Sequence, residues 1–357
     1  MRKSNTDSEY NHRDVEIVRG SDIAIEPIRW LWKEWLASGK LHILGGPPGV
    51  GKTTISMDLA ATVTIGGTWP DGTQCDVGNV AIWSGEDDPA DTLMPKLLAS
   101  GADRSRIYFV TNTIQGGTKR PFDPAYDMEE LRTKLAGIGS VQLLIIDPLV
   151  SAIAADSHKN AEVRRGLQPL ADAASAGGFA LLGITHFTKN SSNMEPIDRI
   201  TGSLAFGALA RIVLMATKNK KKDGSGAFGI FCRGKSNLGG DDGGFSYDMD
   251  QVALTSYPGV VASRILWQEA MAGSARQLLD NHAGGENESA LCAAKKFLAD
   301  LLVVPQPMTS VRAAAEDAGY AWATIRRAQT ALGVKSQKNG MSGGWIWFDP
   351  AHVAPSA

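Results

Sequence analysis

Between Leu41 and about Asp250 the chain alternates short, wholly apolar runs with segments of helix length. The runs "LHILGG", "VAIWSG", "IYFV", "LLIID", "ALLGITH" and "RIVLMA" are nearly continuous in apolar and small residues, as strands are when both faces of their sheet are covered. Helical patterns separate most of them, so the predicted core is an α/β fold around a mostly parallel sheet. "FGIFCRGKS" and "FSYDMD" follow only short polar loops and predict an antiparallel extension of that sheet.

The flanks are patterned differently. Residues 1–22 are polar and aperiodic, which predicts a disordered tail. Residues 23–40 crowd Trp30, Trp32 and Trp35 together. They read either as a helix capping the core or as an arm that packs on a neighbouring subunit. The core domain then runs over 41–270. Small, polar residues at 271–287 suit a linker. After it, "ESALCAAKKFLADLL", "TSVRAAAEDAG" and "AWATIRRAQTALG" are helical in period, and "VKSQKNGMSGGWIWFD" reads as a hairpin turning near Asn339-Gly340. Three helices and a hairpin predict a winged helix-turn-helix over 288–357.

Composition narrows the classes. Net charge is −2 over 357 residues, so nucleic-acid binding has to come from local patches. Cys75, Cys232 and Cys292 are scattered, which argues against a zinc site or a disulfide framework. No apolar run approaches a membrane span of about 18 residues, and the N-terminus lacks a signal-peptide core. The expected location is the cytoplasm.

The strongest chemical signal is "GGPPGVGKTT". It contains G-x-x-x-x-G-K-T as Gly46, Pro47, Pro48, Gly49, Val50, Gly51, Lys52 and Thr53, followed by Thr54. An apolar strand leads in and a helical pattern leads out, the context a phosphate loop requires. Its backbone N–H groups face phosphate oxygens at a helix N-terminus. Lys52 is expected to neutralise the β- and γ-phosphates of ATP and the Thr53 hydroxyl to ligate Mg²⁺; the alternative is an ordinary Gly-rich strand-to-helix turn. Asp147, ending "LLIID", is the second expected magnesium ligand.

Many ATPases keep the water-activating carboxylate right after that acid, but here the position is Pro148. The base must come from elsewhere. "VAIWSGEDDP" is another buried strand, and it delivers Glu86 to the same C-terminal edge of the sheet, where ligands of open α/β sheets bind. Glu86 is the predicted proton acceptor for the attacking water. Asp87 and Asp88 are alternatives, and any of the three acids could simply cap the helix that follows.

A water-activating acid on a strand other than that of the metal acid resembles the RecA-like ATPases. With "SGEDD", "LLIIDP", "DSHKN", "GITHFTK" and "DRITGSLAFGALAR", the stretch from Trp30 to Asp250 is similar to the RepA-like hexameric replicative helicases and the related AAA-family ATPases of plasmids and phages. The resemblance implies a RecA-like core that works as a homo-oligomeric ring, a hexamer. His186 in "GITHFTK" matches the polar sensor between the γ-phosphate and the DNA loops; its other reading is a structural histidine. Arg211 in "GALARIVLM" matches the arginine that reaches into a neighbouring subunit's nucleotide, with a surface salt bridge as the alternative. Lys218 and Lys235 are further candidates for a second cation there.

In such a fold the loops after "LLIID" and "GITH" face the ring's channel. Lys159, Lys189 and Arg199 in them suit a sequence-tolerant grip on single-stranded DNA. Within 309–340 five cations (Arg312, Arg326, Arg327, Lys335, Lys338) stand against Glu316 and Asp317. Arg326 and Arg327 lie on the candidate recognition helix, for duplex DNA or for a replication protein. The expected function is a ring-forming, ATP-hydrolysing DNA motor or helicase in plasmid- or phage-type replication. A DNA-binding ATP switch or loader that regulates a partner without unwinding is the alternative. A small-molecule kinase is disfavoured by the trans arginine and the appended domain.

Overall fold

The computed structural model describes residues 15–153, 159–187, 195–200, 204–219, 227–338 and 344–350, of which 196, 204 and 280–292 are described by backbone alone. The predicted tail lies outside the described residues up to position 14. From Val15 to Asp22 the chain is exposed, with one tight turn at Gly20–Asp22.

The Trp-rich arm is a hairpin, not a helix. Strand β1 (Trp30–Trp32) pairs antiparallel with β2 (Leu36–Ala37), and Glu34 turns the chain at φ 67°. Trp32 and Trp35 are buried and stack 4.7 Å apart, with Trp69 and Phe231 in the same pile. The chain's own core takes up both rings, which leaves neither for a neighbouring subunit.

The core continues with β3 (Leu41–Gly46), α1 (Lys52–Ile65), β4 (Asn79–Ser84), α2 (Met94–Ala99) and β5 (Ile107–Phe109). A small hairpin, β6 (Asn112–Gln115) and β7 (Thr118–Pro121), precedes α3 (Met128–Ile138) and β8 (Val141–Asp147). Then come α4 (Asn160–Gly177), β9 (Ala180–His186), α5 (Leu204–Leu209) and β10 (Ile212–Lys218). Strands β11 (Gly229–Ser236), β12 (Asp242–Ala253) and β13 (Val261–Ser274) complete one nine-stranded sheet, ordered β13-β12-β11-β10-β3-β9-β8-β4-β5. It is parallel from β10 to β5, and β11, β12 and β13 add antiparallel. The six parallel strands are the six apolar runs.

Two layers cover the sheet, and the reason is visible within single strands. In β8, Leu143 and Ile145 join the cluster under α1, while Leu144 and Ile146 join the one under α4. Alternate side chains point to opposite faces, so a strand buried on both must be apolar at every position. Among the described residues no helix is long and apolar enough to cross a membrane.

One buried polar residue ties the Trp hairpin to the lower edge of the sheet. His42 accepts a hydrogen bond from Ala37 N (2.9 Å) and its other ring nitrogen lies 3.2 Å from the Leu181 carbonyl. Burial lowers its pKa from 6.5 to about 4, so the folded ring is neutral. The stability this contributes is therefore complete above about pH 6.5 and is lost as pH falls toward 4. His42→Ala strands two backbone groups and opens a cavity, and should destabilise by about 3 kcal/mol. Urea unfolding at pH 7 and pH 5 checks this: the gap between wild type and variant should narrow at the lower pH. An equal gap would mean that the folded ring titrates normally.

Residues 271–287, read as a linker, are instead the end of β13 and the first half of a long helix, α6 (Ala275–Leu301). Ser274 and Gln277 form a capping box at its start, which satisfies two orphan backbone donors at once. Beyond it lie β14 (Gln306–Pro307), α7 (Met308–Asp317), α8 (Trp322–Leu332), β15 (Lys335–Lys338) and β16 (Trp345–Phe348). The last three strands form a small sheet ordered β14-β16-β15. Its core is separate: Ala294, Leu298, Val311, Ala315, Ile325, Ala328 and Trp347 pack together. The predicted turn at Asn339-Gly340 lies outside the described residues.

Candidate nucleotide site

The loop between β3 and α1 is held in the shape its glycines allow. Gly49 (φ 73°) and Gly51 (φ 83°) are left-handed, a region that penalises any side chain. Gly51 is the N-cap of α1, so the first helical N–H groups open toward the loop. A β-carbon on Gly46 would lie 2.4 Å from the Ala216 carbonyl. That leaves no room for any other residue there.

Lys52, the first residue of α1, is buried, and its Nζ donates to the carbonyls of Gly46 (3.0 Å) and Pro47 (3.1 Å). It also lies 3.1 Å from His186 Nδ1. Pairing of Gly46 with His186 across β3 and β9 sets this contact. Burial lowers the Lys52 pKa, against the opposing charges of Asp147 and Glu86. Burial and then the Lys52 charge lower that of His186. Nδ1 can accept a hydrogen bond from the ammonium only while it carries no proton of its own.

Thr53 donates its hydroxyl to Asp147 Oδ2 at 3.1 Å. Asp147 is nearly buried, and burial is the main cause that raises its pKa to about 6, with Glu86 and Asp87 adding to it. A buried carboxyl crowded by two other carboxylates is a place that a cation relieves. Among the described residues no three His, Cys, Asp or Glu side chains converge as a metal cage. One carboxylate and one hydroxyl, completed by substrate phosphates and water, suit Mg²⁺. The residues present fit that ion.

Glu86 comes from the neighbouring strand. In the β4–β8 register Ser84 stands opposite Asp147, and Gly85 N donates to the Asp147 carbonyl at 2.8 Å. The chain then turns: the Ser84 hydroxyl accepts from Glu86 N (3.3 Å) and Asp87 N (2.9 Å). Glu86 is exposed, yet its charge acts on Lys52, Asp147 and His186 alike. The other two acids have structural partners. Asp87 pairs with Lys96 at 3.7 Å, and Asp88 caps the turn at Pro89 by accepting from Ala90 N and Asp91 N. A cavity of about 410 Å³ opens beside this turn, bounded by Trp83, Glu86, Phe109 and Phe122, so solvent reaches the Glu86 carboxyl.

Lys52, Thr53, Asp147, Glu86 and His186 therefore meet at one edge of the sheet. Arg211 does not. It precedes β10, whose first residue pairs with His42 at the start of β3, and is exposed at the opposite edge, about 15 Å from the loop by strand rise. Lys235 lies beside it: its Nζ donates to the Gly207 carbonyl at 2.7 Å, and burial, then Arg211, lower its pKa. Lys218 belongs at the other end of β10, near its own phosphate loop. A β-carbon on Gly49 would lie 3.6 Å from its Nζ.

The nucleic-acid candidates divide. Lys159 is exposed and pairs with Glu162, and Lys189 lies outside the described residues. Arg199 has to be withdrawn: it is only 5% exposed and acts on buried Cys232, so its guanidinium is turned into the fold instead of toward a passing strand. On α8, Arg326 and Arg327 are exposed while Ile325 and Ala328 are buried.

Residues missed in the sequence come from far along the chain. Tyr247 Oη donates to the Val50 carbonyl at 2.6 Å, Met249 packs on Gly51, and Ser263 Oγ lies 3.2 Å from Thr54 Oγ1. Only the alternation in "FSYDMD" hinted at one inward face. The Ser in "SGEDD" carried a signal as well, since a hydroxyl before a run of acids shapes a turn.

A family model described as AAA domain matches residues 6–192. That span holds the phosphate loop, Glu86, Asp147 and His186 and ends before Arg211. No curated protein matches the chain.

Proposed function

The chain belongs to the AAA-domain family of nucleotide-hydrolysing P-loop ATPases, and from that premise we propose that it is a ring-forming, ATP-driven motor acting on DNA, of the RepA-like hexameric type. The observation that carries the ring is the separation of charges. The nucleotide edge holds Lys52, Asp147 and Glu86, whereas Arg211 and Lys235 stand together at the far edge. A cation that cannot reach its own nucleotide is suited to a neighbour's, where it offsets charge developing on the transferred phosphoryl group.

In this function Lys52 and the loop N–H groups bind the triphosphate, and Thr53 and Asp147 hold Mg²⁺. Bound there, Mg²⁺ supplies charge compensation for the phosphate oxygens. Glu86 takes the proton of the attacking water. His186, 3.1 Å from the Lys52 ammonium, changes partner when Lys52 turns to phosphate, and passes that change to the segment after β9. Lys159 and Lys189 then grip single-stranded DNA by its phosphates, and the C-terminal unit is a winged helix whose Arg326 and Arg327 contact duplex DNA or a replication protein.

The test uses two inactive proteins. Mixing Arg211→Ala with Glu86→Gln should restore part of the ATPase activity, because mixed rings contain interfaces with one intact arginine and one intact base. No recovery at any ratio contradicts the trans role. Single-stranded DNA should raise ATP turnover and a forked duplex should be separated; turnover raised without separation would favour the switch or loader.

A further inference from the structure

The end of β10 runs along the phosphate loop. Ala216 sits so close to the start of the loop that its carbonyl would lie 2.4 Å from a β-carbon on Gly46. Two positions on, Lys218 returns to the same face and reaches Gly49, where a β-carbon would meet its Nζ at 3.6 Å and its Cε at 4.0 Å. Lys218 is exposed, and its ammonium rests 5.2 Å from the centre of the Phe228 ring.

That ring is a fixed platform. Lys218 pairs with Gly229, and Asn219 N donates to the Phe228 carbonyl at 2.8 Å. Phe228 N donates to Asp248 Oδ1 at 2.7 Å, and its ring lies 6.1 Å from that of Tyr247, whose hydroxyl holds the Val50 carbonyl. Tyr247 thus ties the platform to the loop. A cation–π contact at an exposed site is weak, and an ammonium gives it up readily for a phosphate oxygen.

The flank on which this cation stands decides what it can touch. His186 ends β9, Asp147 ends β8 and Glu86 follows β4, and all three strands lie on one side of β3 in the sheet. The γ-phosphate and its metal belong to that side. Lys218 comes from β10, on the other side of β3. We propose that Lys218 is a second cis cation of the nucleotide site, binding the non-transferred phosphates of the nucleotide held in its own loop. The assignment rests on the phosphate-loop function above and takes Lys218 out of the set of cations available to a neighbouring subunit.

Calorimetry on the full chain measures binding of Mg-ATP, Mg-ADP and Mg-tripolyphosphate by wild type, Lys218→Ala and Lys218→Arg. Alanine should weaken all three ligands by about tenfold, through loss of one charge-assisted contact at an exposed position. Arginine keeps the charge and should stay within about threefold of wild type. A fall for ATP alone would put the contact on the γ-phosphate. A fall for both nucleotides but not for tripolyphosphate would put it on the nucleoside. Either result overturns the assignment, as does unchanged affinity for all three ligands. Mixing Lys218→Ala with Lys52→Ala separates the chain's own loop from a neighbour's. With a cis cation no mixture contains a complete site, so no sites of wild-type ATP affinity should appear; their return overturns the cis role. A wild-type chain that binds none of the three ligands overturns the phosphate-loop function and this inference with it.

Discussion

Replacing Lys52 with alanine should abolish nucleotide binding while leaving the fold in place. Among the described residues its ammonium is the one cation buried at the mouth of the loop, with the Gly46 and Pro47 carbonyls and His186 Nδ1 within 3.1 Å. Charge-assisted hydrogen bonds contribute about 1.5–3 kcal/mol each. Two of them to phosphate oxygens make a loss of 10²-fold to 10⁴-fold in affinity, at about 1.4 kcal/mol per decade. The protein should still fold, because burial already disfavours the charge that is removed. Equilibrium binding of a fluorescent ATP analogue, with thermal unfolding as control, checks both halves. Near-normal affinity in a folded variant would refute the pocket.

Glu86→Gln should show the opposite division: ATP bound, hydrolysis lost. A glutamine keeps size and polarity but accepts no proton, and general-base catalysis is typically a factor of about 10²–10⁴. Affinity should change little, since Glu86 stands beyond the end of β4 while the phosphates are held by the loop. Asp87→Asn is the matched control, because Asp87 has its own partner in Lys96. If Asp87→Asn loses hydrolysis and Glu86→Gln does not, the base is misassigned. Single-turnover hydrolysis, with binding measured on the same samples, distinguishes these results.

The two acids were legible in the sequence for a physical reason. A strand buried on both faces must be apolar throughout, so where it ends in a charge that charge is at an edge of the sheet. "LLIID" and "VAIWSGED" both end in this way, and parallel neighbours bring their ends to the same edge. That reasoning could not go further along the chain. The hairpin that clamps the loop lies 197 residues from Val50 and 209 from Thr54, and alternation in a strand gives it two faces without saying what either one faces. The Trp cluster offered spacings of two and three, which suit strand and helix alike; only its fit against Trp69 and Phe231 decides for the hairpin. At 271–287 polar and small residues masked a helix whose start was nonetheless written as Ser274 and Gln277. Arg199 shows the limit of reading charge from loops. A cation in a polar stretch looks free until the fold turns it inward.

The central claim is that two neighbouring strands divide the chemistry, β8 anchoring the metal and β4 accepting the proton. Binding of Mn²⁺, a spectroscopic substitute for Mg²⁺, in the presence of ATP tests this division most directly when counted by electron paramagnetic resonance. Asp147→Asn should lose the nucleotide-dependent Mn²⁺, and Glu86→Gln should retain it at wild-type stoichiometry. A Glu86→Gln protein that loses the ion, or an Asp147→Asn protein that keeps it, contradicts the account.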